Sequence, residues 1–431
     1  MIGSGGREHA LVWAMRKNSV SHLELLCAPG NAGIAQAAEC AGIAATDTAA
    51  LATLAEEQKV DLTIVGPEAP LAAGVVDEFT RRGLRIVGPG RAAARLEASK
   101  AFAKDFMHRH AIPTARYRIA QSATEAIEIL ESGAFGVAQT PVVIKADGLA
   151  AGKGVVVAAS QAQAVEAVNE LTGGSITAEA VQRIVIEEAL SGREASLLLF
   201  SDGKDFRLMP PARDHKRVGE NDTGPNTGGM GSITDGSVLD EATLDGVVRE
   251  IVGPTLEGAR QDGFAFRGVL FIGLMLTPEG PRVLEYNVRF GDPETQAILV
   301  RLESDLVEVF DAIASQRLSQ VDVKWSKASS ACVVLAAQGY PGTPETGTRI
   351  EGLERAARRR NVALFHSATM RGAEGSWLTA GGRVLGVTAT GPTLDLALSA
   401  CYEAVGDITW EGMHFRRDIG RPAGPQAVAH G

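Results

Sequence analysis

From Met1 to about Gly90 short apolar runs alternate with helical patterns, and this alternation limits the fold more than any other feature. "LELLC" (Leu23–Cys27) reads as a strand, and "DTAALATLAEEQKV" as a helix capped by Asp47 or Thr48. "DLTIV" (Asp61–Val65) is a strand, "LAAGVVDEFTRRG" a helix ending at Gly83, and "LRIVG" the next strand. Such alternation builds βαβ units around a parallel sheet. Ligands of these sheets bind beyond the carboxyl ends of the strands. Those ends are "GSGGREH", "APGNAG", "GPEAPL" and "GPG", all rich in glycine or proline.

A helix, "SKAFAKDFMHRH", stops before Pro113. "PVVIKADGLAAGKGVVVAAS" then reads as strand, glycine loop, strand. A helix up to about Leu171 leads to the strands "RIVIEEAL" and "REASLLLF", which suggests a small α+β lid. A long helix over about Asp240–Gly263 precedes the paired strands "GVLFIGLML" and "PRVLEYNV". From about Ala328 the pattern resets with "ACVVLAAQGYPG". The tail "RPAGPQAVAHG" is expected to be disordered.

At 431 residues the chain is too long for one core, so two to four packed units are expected. Its net charge of −10 argues against non-specific binding to nucleic acid or anionic membrane. Anionic small substrates would need local basic residues and glycine loops. Four scattered cysteines without metal spacing suit a reduced, cytoplasmic setting. No apolar run approaches the roughly 18 residues of a membrane span. The start lacks the features of a signal peptide. Only Met1 and Ile2 precede Gly3, so either the natural chain begins upstream or the first strand is unusually short.

Four motifs carry chemistry. In "GSGGREHA" Glu8 stands where a dinucleotide fingerprint needs its third glycine, which weakens a dehydrogenase reading. A glycine turn opening a helix can still bind phosphate, because free backbone N–H groups converge there. "IKADGLAAGKGV" places Lys145 on a strand and Lys153 in a loop of small residues, an arrangement suited to nucleotide phosphates. In "IVIEEALSGREAS", Glu187 and Glu188 point to opposite faces, and one can accept from an adenine amino group. Glu194 could accept from ribose hydroxyls. In "LEYNVRFGDPE", Glu285, Asn287 and Arg289 share one strand face. Glutamate and an amide oxygen are hard ligands suited to Mg²⁺, and Arg289 can hold a carboxylate or phosphate in bidentate fashion. A plain Glu285–Arg289 ion pair is the alternative. Between lid and metal strand, "RDHKRVGENDTGPNTGGMG" reads as a flexible polar loop that closes over substrate and excludes water.

With these residues, and "PGNAG", "SKAFAKDFM", "GYPG", "GGRVLGVTATG" and "RRDIG", the chain resembles the phosphoribosylamine–glycine ligase (glycinamide ribonucleotide synthetase) family of ATP-grasp enzymes nearly end to end. The resemblance implies an α/β protein: an N-terminal parallel α/β domain over residues 1–98, an ATP-grasp domain over 99–327 with its lid at about 117–190, and a small α/β domain over 328–422, with a tail at 423–431. It implies that glycine is joined to 5-phosphoribosylamine through glycyl phosphate, with ATP going to ADP and phosphate. The enzyme would be a cytoplasmic monomer with no nucleic-acid or membrane partner.

By the same resemblance Lys100 and Lys145 hold ATP phosphates, under a loop carrying Gly148, Gly152, Lys153 and Gly154. Glu187, with Glu188 and the backbone at Ala189 and Leu190, reads adenine, and Glu194 binds ribose. Glu285 and Asn287 bind Mg²⁺ or Mn²⁺. Arg289, Asp214 and Lys216 act in catalysis. Asn226, Thr227, Gly228 and Gly229 hold glycine and the ribosylamine, whose phosphoribosyl part meets Gly5, Gly6, Arg7, Asn31 and Glu68. One departure is Arg213, where the family usually has glutamine. Another ATP-grasp carboxylate–amine ligase of nucleotide metabolism would share the lid and metal strand but not "DHKR…GPNTGGMG". A non-catalytic nucleotide-binding regulator would be expected to lack Lys145, Glu285 or Asn287.

Overall fold

The computed structural model describes residues 1–20, 22–149, 154–173 and 183–421. Gly152, Lys153 and the tail lie outside the described residues.

The amino-terminal unit is built on short parallel strands. Ile2–Gly3 pairs with Leu26–Pro29, which pairs with Glu39–Cys40. On its other side Ile2 bridges Val65, and Thr63–Ile64 pairs with Ile86–Val87. The two-residue strand is thus the central one. The Met1 amine extends the pairing by donating to the Leu26 carbonyl at 2.7 Å. The helix expected after "GPEAP" is broken into Glu68–Ala73 and Val75–Arg81 at Gly74, which has φ 87°. A Cβ at Gly74 would also lie 2.7 Å from the Arg91 guanidinium.

The lid is a four-stranded sheet in the order Tyr117–Ala120, Ile184–Glu188, Val142–Ala146, Val155–Ala158. Helices Ala123–Glu131 and Gln161–Thr172 pack on it, each capped by a serine that accepts from the third residue on. Its small core is separate from the main one.

The main sheet runs Gly280–Asn287, Arg267–Thr277, Arg193–Asp202, Ala212–Asp214, Gly231–Thr234, Ser329–Ala336, Arg383–Gly391, Val362–His366. It crosses from the middle of the chain into the carboxyl-terminal segment without a break, with Ser232 opposite Cys332. The change of pattern near Ala328 therefore marks a change in connectivity within one sheet. Helix Leu306–Ala314 packs on Arg193–Asp202, and helix Leu394–Val405 on Ser329–Ala336. The long helix expected near Asp240–Gly263 is two helices, Glu241–Val247 and Gly253–Gln261, joined by a π-turn over Val248–Val252. Pro254, which lacks an amide hydrogen, sits where a regular ladder would have to continue. Among the described residues no helix is long and apolar enough to cross a membrane.

Candidate active site

A cleft of about 430 Å³ opens between the lid, the main sheet and the amino-terminal unit. Arg7 and Glu68 reach it from the amino-terminal unit and Arg383 from the carboxyl-terminal one.

On the lid side, Asp147 of "IKADG" accepts from Ser99 Oγ at 2.9 Å and from the Ala101 amide at 2.7 Å. It thereby caps the helix Lys100–Arg109 and sets Lys100 beside the glycine loop, where Lys100 Nζ donates to the Gly148 carbonyl at 3.1 Å. Lys145 Nζ lies 3.1 Å from Glu187 Oε1, and Lys104 Nζ lies 2.7 Å from Glu187 Oε2. Sequence reading missed Lys104. The signal was present: it follows Lys100 by four residues and so shares its helix face. Burial lowers Lys104 to about 8 despite Glu187. Burial would raise Glu187, but Lys104 and Lys145 outweigh it and hold the carboxyl below its usual range.

The neighbours divide. Lys100, Lys145, Gly154 and Glu187 all line the cleft. Glu188 faces the other way and is held by the Arg116 amide at 2.8 Å and its Nε at 2.7 Å. Its side chain therefore points away from the cleft, because strand alternation turns only one of the two glutamates inward. Ala189 and Leu190 are not among the cleft walls; Leu190 packs behind Leu284, which is one. Glu194 lies 3.4 Å from Lys216 Nζ.

Glu285 and Asn287 line the cleft side by side. Glu285 is not paired with Arg289. Instead Arg289 donates to Glu97 at 2.7 Å and to Asn287 Oδ1 at 3.1 Å, and lies 3.3 Å from Glu68. Glu97, also unforeseen, receives the Val288 amide at 2.8 Å as well. Burial would raise the Glu285 carboxyl, but Lys216, Lys145 and Lys100 outweigh it and keep it ionised. The donor set fits a hard divalent cation: an anionic carboxylate and an amide oxygen on one strand face. Among the described residues no group of three or more His, Cys, Asp or Glu could hold a metal. Such a cation would therefore take the rest of its shell from phosphates and water, as Mg²⁺ does.

The stretch expected to be a flexible loop is an anchored hairpin. Arg217–Gly219 pairs with Thr223–Asn226. Arg416, 1% exposed, donates to the Arg217 carbonyl at 3.0 Å and to Asp222 at 2.8 Å. Buried His215 bonds the Gly231 carbonyl through Nδ1 at 3.1 Å and receives the Gly420 amide on Nε2 at 3.1 Å. Burial lowers His215 to about 4, so it is neutral and structural. Arg213 reaches the Arg421 carbonyl at 3.2 Å. The departure from glutamine there thus bears on the carboxyl-terminal seam. Asp214, Lys216, Asn226, Thr227 and Gly228 line the cleft. Gly229, with φ 105°, packs against Asp214.

The amino-terminal crevice is only partly open. Arg7 and Glu68 line the cleft, but Glu8 receives the Gly5 amide at 2.6 Å and pairs with Arg7 at 2.6 Å. Asn31 donates to the carbonyls of Ser4 at 2.6 Å and His366 at 2.9 Å, while its oxygen receives the amides of Gly33 and Ile34. The Gly5 amide and the Asn31 side chain are thus engaged in hydrogen bonds within the protein. Gly6 lies against Ser367 of the carboxyl-terminal segment and Gln296 of the middle one.

Three family models match in order: the N domain of phosphoribosylglycinamide synthetase over residues 1–97, its ATP-grasp (A) domain over 98–295 and its C domain over 330–422. The phosphoribosylamine–glycine ligase of Xanthomonas axonopodis pv. citri is 47% identical, covering 97% of this chain and 96% of that protein. The chain belongs to the phosphoribosylglycinamide synthetase family. The Haemophilus influenzae phosphoribosylamine–glycine ligase is 45% identical, with 97% of each chain covered. The crystal structure of the Thermotoga maritima phosphoribosylamine–glycine ligase superposes with a TM-score of 0.83 at 34% identity, covering 97% of this chain and 99% of that one. A biotin carboxylase domain from Hydrogenobacter thermophilus shares the fold, with a TM-score of 0.71 at 14% identity, 96% of this chain and 90% of that one being covered.

In this member of the synthetase family the acids deep in the cleft differ in charge. Burial, and then the nearby Glu294, pushes Asp214 well above the usual carboxylate range. Glu294, which accepts from Ser196 Oγ at 3.2 Å, is also raised by burial. For Lys216 burial acts downward, but Glu194, Glu285 and Asp214 outweigh it and keep the ammonium protonated. The synthetase cleft thus offers fixed cations and an ionised Glu285 next to acids able to carry a proton.

Proposed function

We propose that this chain is a phosphoribosylamine–glycine ligase that joins glycine to 5-phosphoribosylamine while ATP becomes ADP and phosphate. The observation that carries the reading is the meeting, in one cleft, of Lys100 and Lys145, Glu285 with Asn287, and the Asp214–Gly229 segment. Residues 1–98, 99–327 and 328–422 are its three units.

Lys100 and Lys145, with the glycine loop, hold the nucleotide phosphates. Glu187, bound to two lysines, keeps its charge beside the base. Glu285 and Asn287 hold Mg²⁺, with Mn²⁺ as the alternative ion; when bound, it neutralises charge on the transferring phosphoryl group. Lys216 and Arg289 hold the glycine carboxylate. A carboxylate oxygen attacks the γ-phosphorus and ADP leaves. The ribosylamine nitrogen then attacks the acyl carbon, the bond to phosphate breaks, and the amine proton passes to a cleft carboxylate. Holding both partners in place is the main contribution of such a site. Arg7 and Glu68 face the phosphoribosyl part.

All four cysteines are unpaired, which supports a reducing, cytoplasmic setting. Incubation with labelled glycine, 5-phosphoribosylamine, ATP and Mg²⁺ should give a labelled glycinamide ribonucleotide by mass spectrometry. A product that lacks the label would refute the reading.

A further inference from the structure

Two motifs, "GYPG" and "GGRV", have no role in the chemistry above. The fold brings both to the same residue. Tyr340 of the first receives the Gly228 amide on its hydroxyl at 3.0 Å. Arg383 of the second donates Nη1 to the Gly228 carbonyl. The same Nη1 donates to the Asp292 carbonyl at 2.7 Å, and Nη2 lies 3.2 Å from the Asp292 carboxylate. Asp292 is held in turn by Gln296 Nε2 at 2.7 Å. Both polar groups of the Gly228 peptide are therefore held by the carboxyl-terminal domain.

The glycines around this contact fit it. A Cβ at Gly382 would fall 2.3 Å from the Tyr340 ring, so only glycine lets that ring lie against the strand leading to Arg383. A Cβ at Gly228 would lie 3.0 Å from the Arg383 guanidinium carbon. Among the described residues neither Tyr340 nor Arg383 bonds to Lys100, Lys104, Lys145 or Glu187.

We infer that Tyr340 and Arg383 are positioning residues: they set the Asn226–Gly229 segment against the Asp292 turn, so that the carboxyl-terminal domain governs how the carboxylate and amine substrates are placed. This rests on the reading of that segment as the non-nucleotide substrate site. A lysine at position 383 keeps the charge but carries its donors on one nitrogen, without the planar fork whose Nη1 and Nη2 span the two carbonyls and the carboxylate.

The test uses the full chain with Arg383→Lys and Tyr340→Phe, read by steady-state kinetics, Mg²⁺–ADP titration and amide hydrogen exchange. For Arg383→Lys, kcat/KM for glycine and phosphoribosylamine should fall roughly 10- to 100-fold, the scale of a small misplacement, while ADP affinity stays unchanged. For Tyr340→Phe the kinetic loss should be smaller and exchange of the Gly228 amide faster. With Arg383→Ala, added guanidinium should restore part of the rate. Loss of ADP affinity in step with the rate, or unaltered kinetics in both variants, would overturn the inference. Unchanged exchange at Gly228 in Tyr340→Phe would do so even if the wild-type chain failed to ligate glycine, a failure that would count against the proposed function alone.

Discussion

Lys104 and Glu187 form an ion pair of 2.7 Å with both side chains 2% exposed. A charge so buried is tolerable only when paired. Replacing Lys104 with methionine leaves Glu187 with Lys145 alone, and removing one partner of a buried pair costs about 3 kcal/mol or more. Denaturant unfolding of Lys104→Met should show that loss, together with weaker ADP binding. Wild-type stability would mean that the pair contributes nothing.

Glu285→Ala should abolish turnover with little loss of stability, because the side chain faces the cleft. Loss of charge stabilisation by the metal should raise the barrier by several kcal/mol. Kinetics at saturating Mg²⁺ check this, and near wild-type kcat would remove Glu285 from the metal site.

Gly229→Ala is predicted to harm the carboxylate and amine substrates selectively. The residue has φ 105°, and a Cβ would lie 2.5 Å from Pro293 and 2.7 Å from Asp214. KM for glycine or phosphoribosylamine should rise while ADP titration is unchanged. The opposite pattern would assign the segment to the nucleotide.

His215 sets a pH prediction. Its folded value is about 4, below the usual 6.5, because of burial. Between those values the unfolded chain binds the extra proton, so stability falls as pH drops from about 6.5 to 4 and is flat above. One such histidine contributes at most ~3 kcal/mol. His9, also lowered to about 4, and His366, lowered to about 3, act in the same sense. In His215→Gln the slope of stability against pH should shrink, and an unchanged slope would contradict a neutral His215.

The residues proposed to hold nucleotide and metal stand out in the sequence because each lies on a motif with its own periodicity. Strand alternation put Glu285, Asn287 and Arg289 on one face; all three line the cleft, but the strand ends at Asn287 and Arg289 lies just beyond it. Alternation also required that only one of Glu187 and Glu188 face the cleft, though not which. What the sequence hid is tertiary. Glu97 reaches Arg289 from a helix nearly two hundred residues upstream. Arg383 meets Gly228 across a sheet whose continuity no local pattern announces. The partners of Gly5 and Asn31, namely Glu8 and the Ser4 and His366 carbonyls, are fixed only by folding. The loop looked flexible for the same reason: Arg416 and His215 anchor it from outside its own sequence.

The most direct test of the ligase assignment is phosphate release from ATP with substrates added singly and together. The account predicts sustained release only when glycine and 5-phosphoribosylamine are both present, with one phosphate per glycinamide ribonucleotide formed. Equal release without either substrate, or none with both, would contradict it.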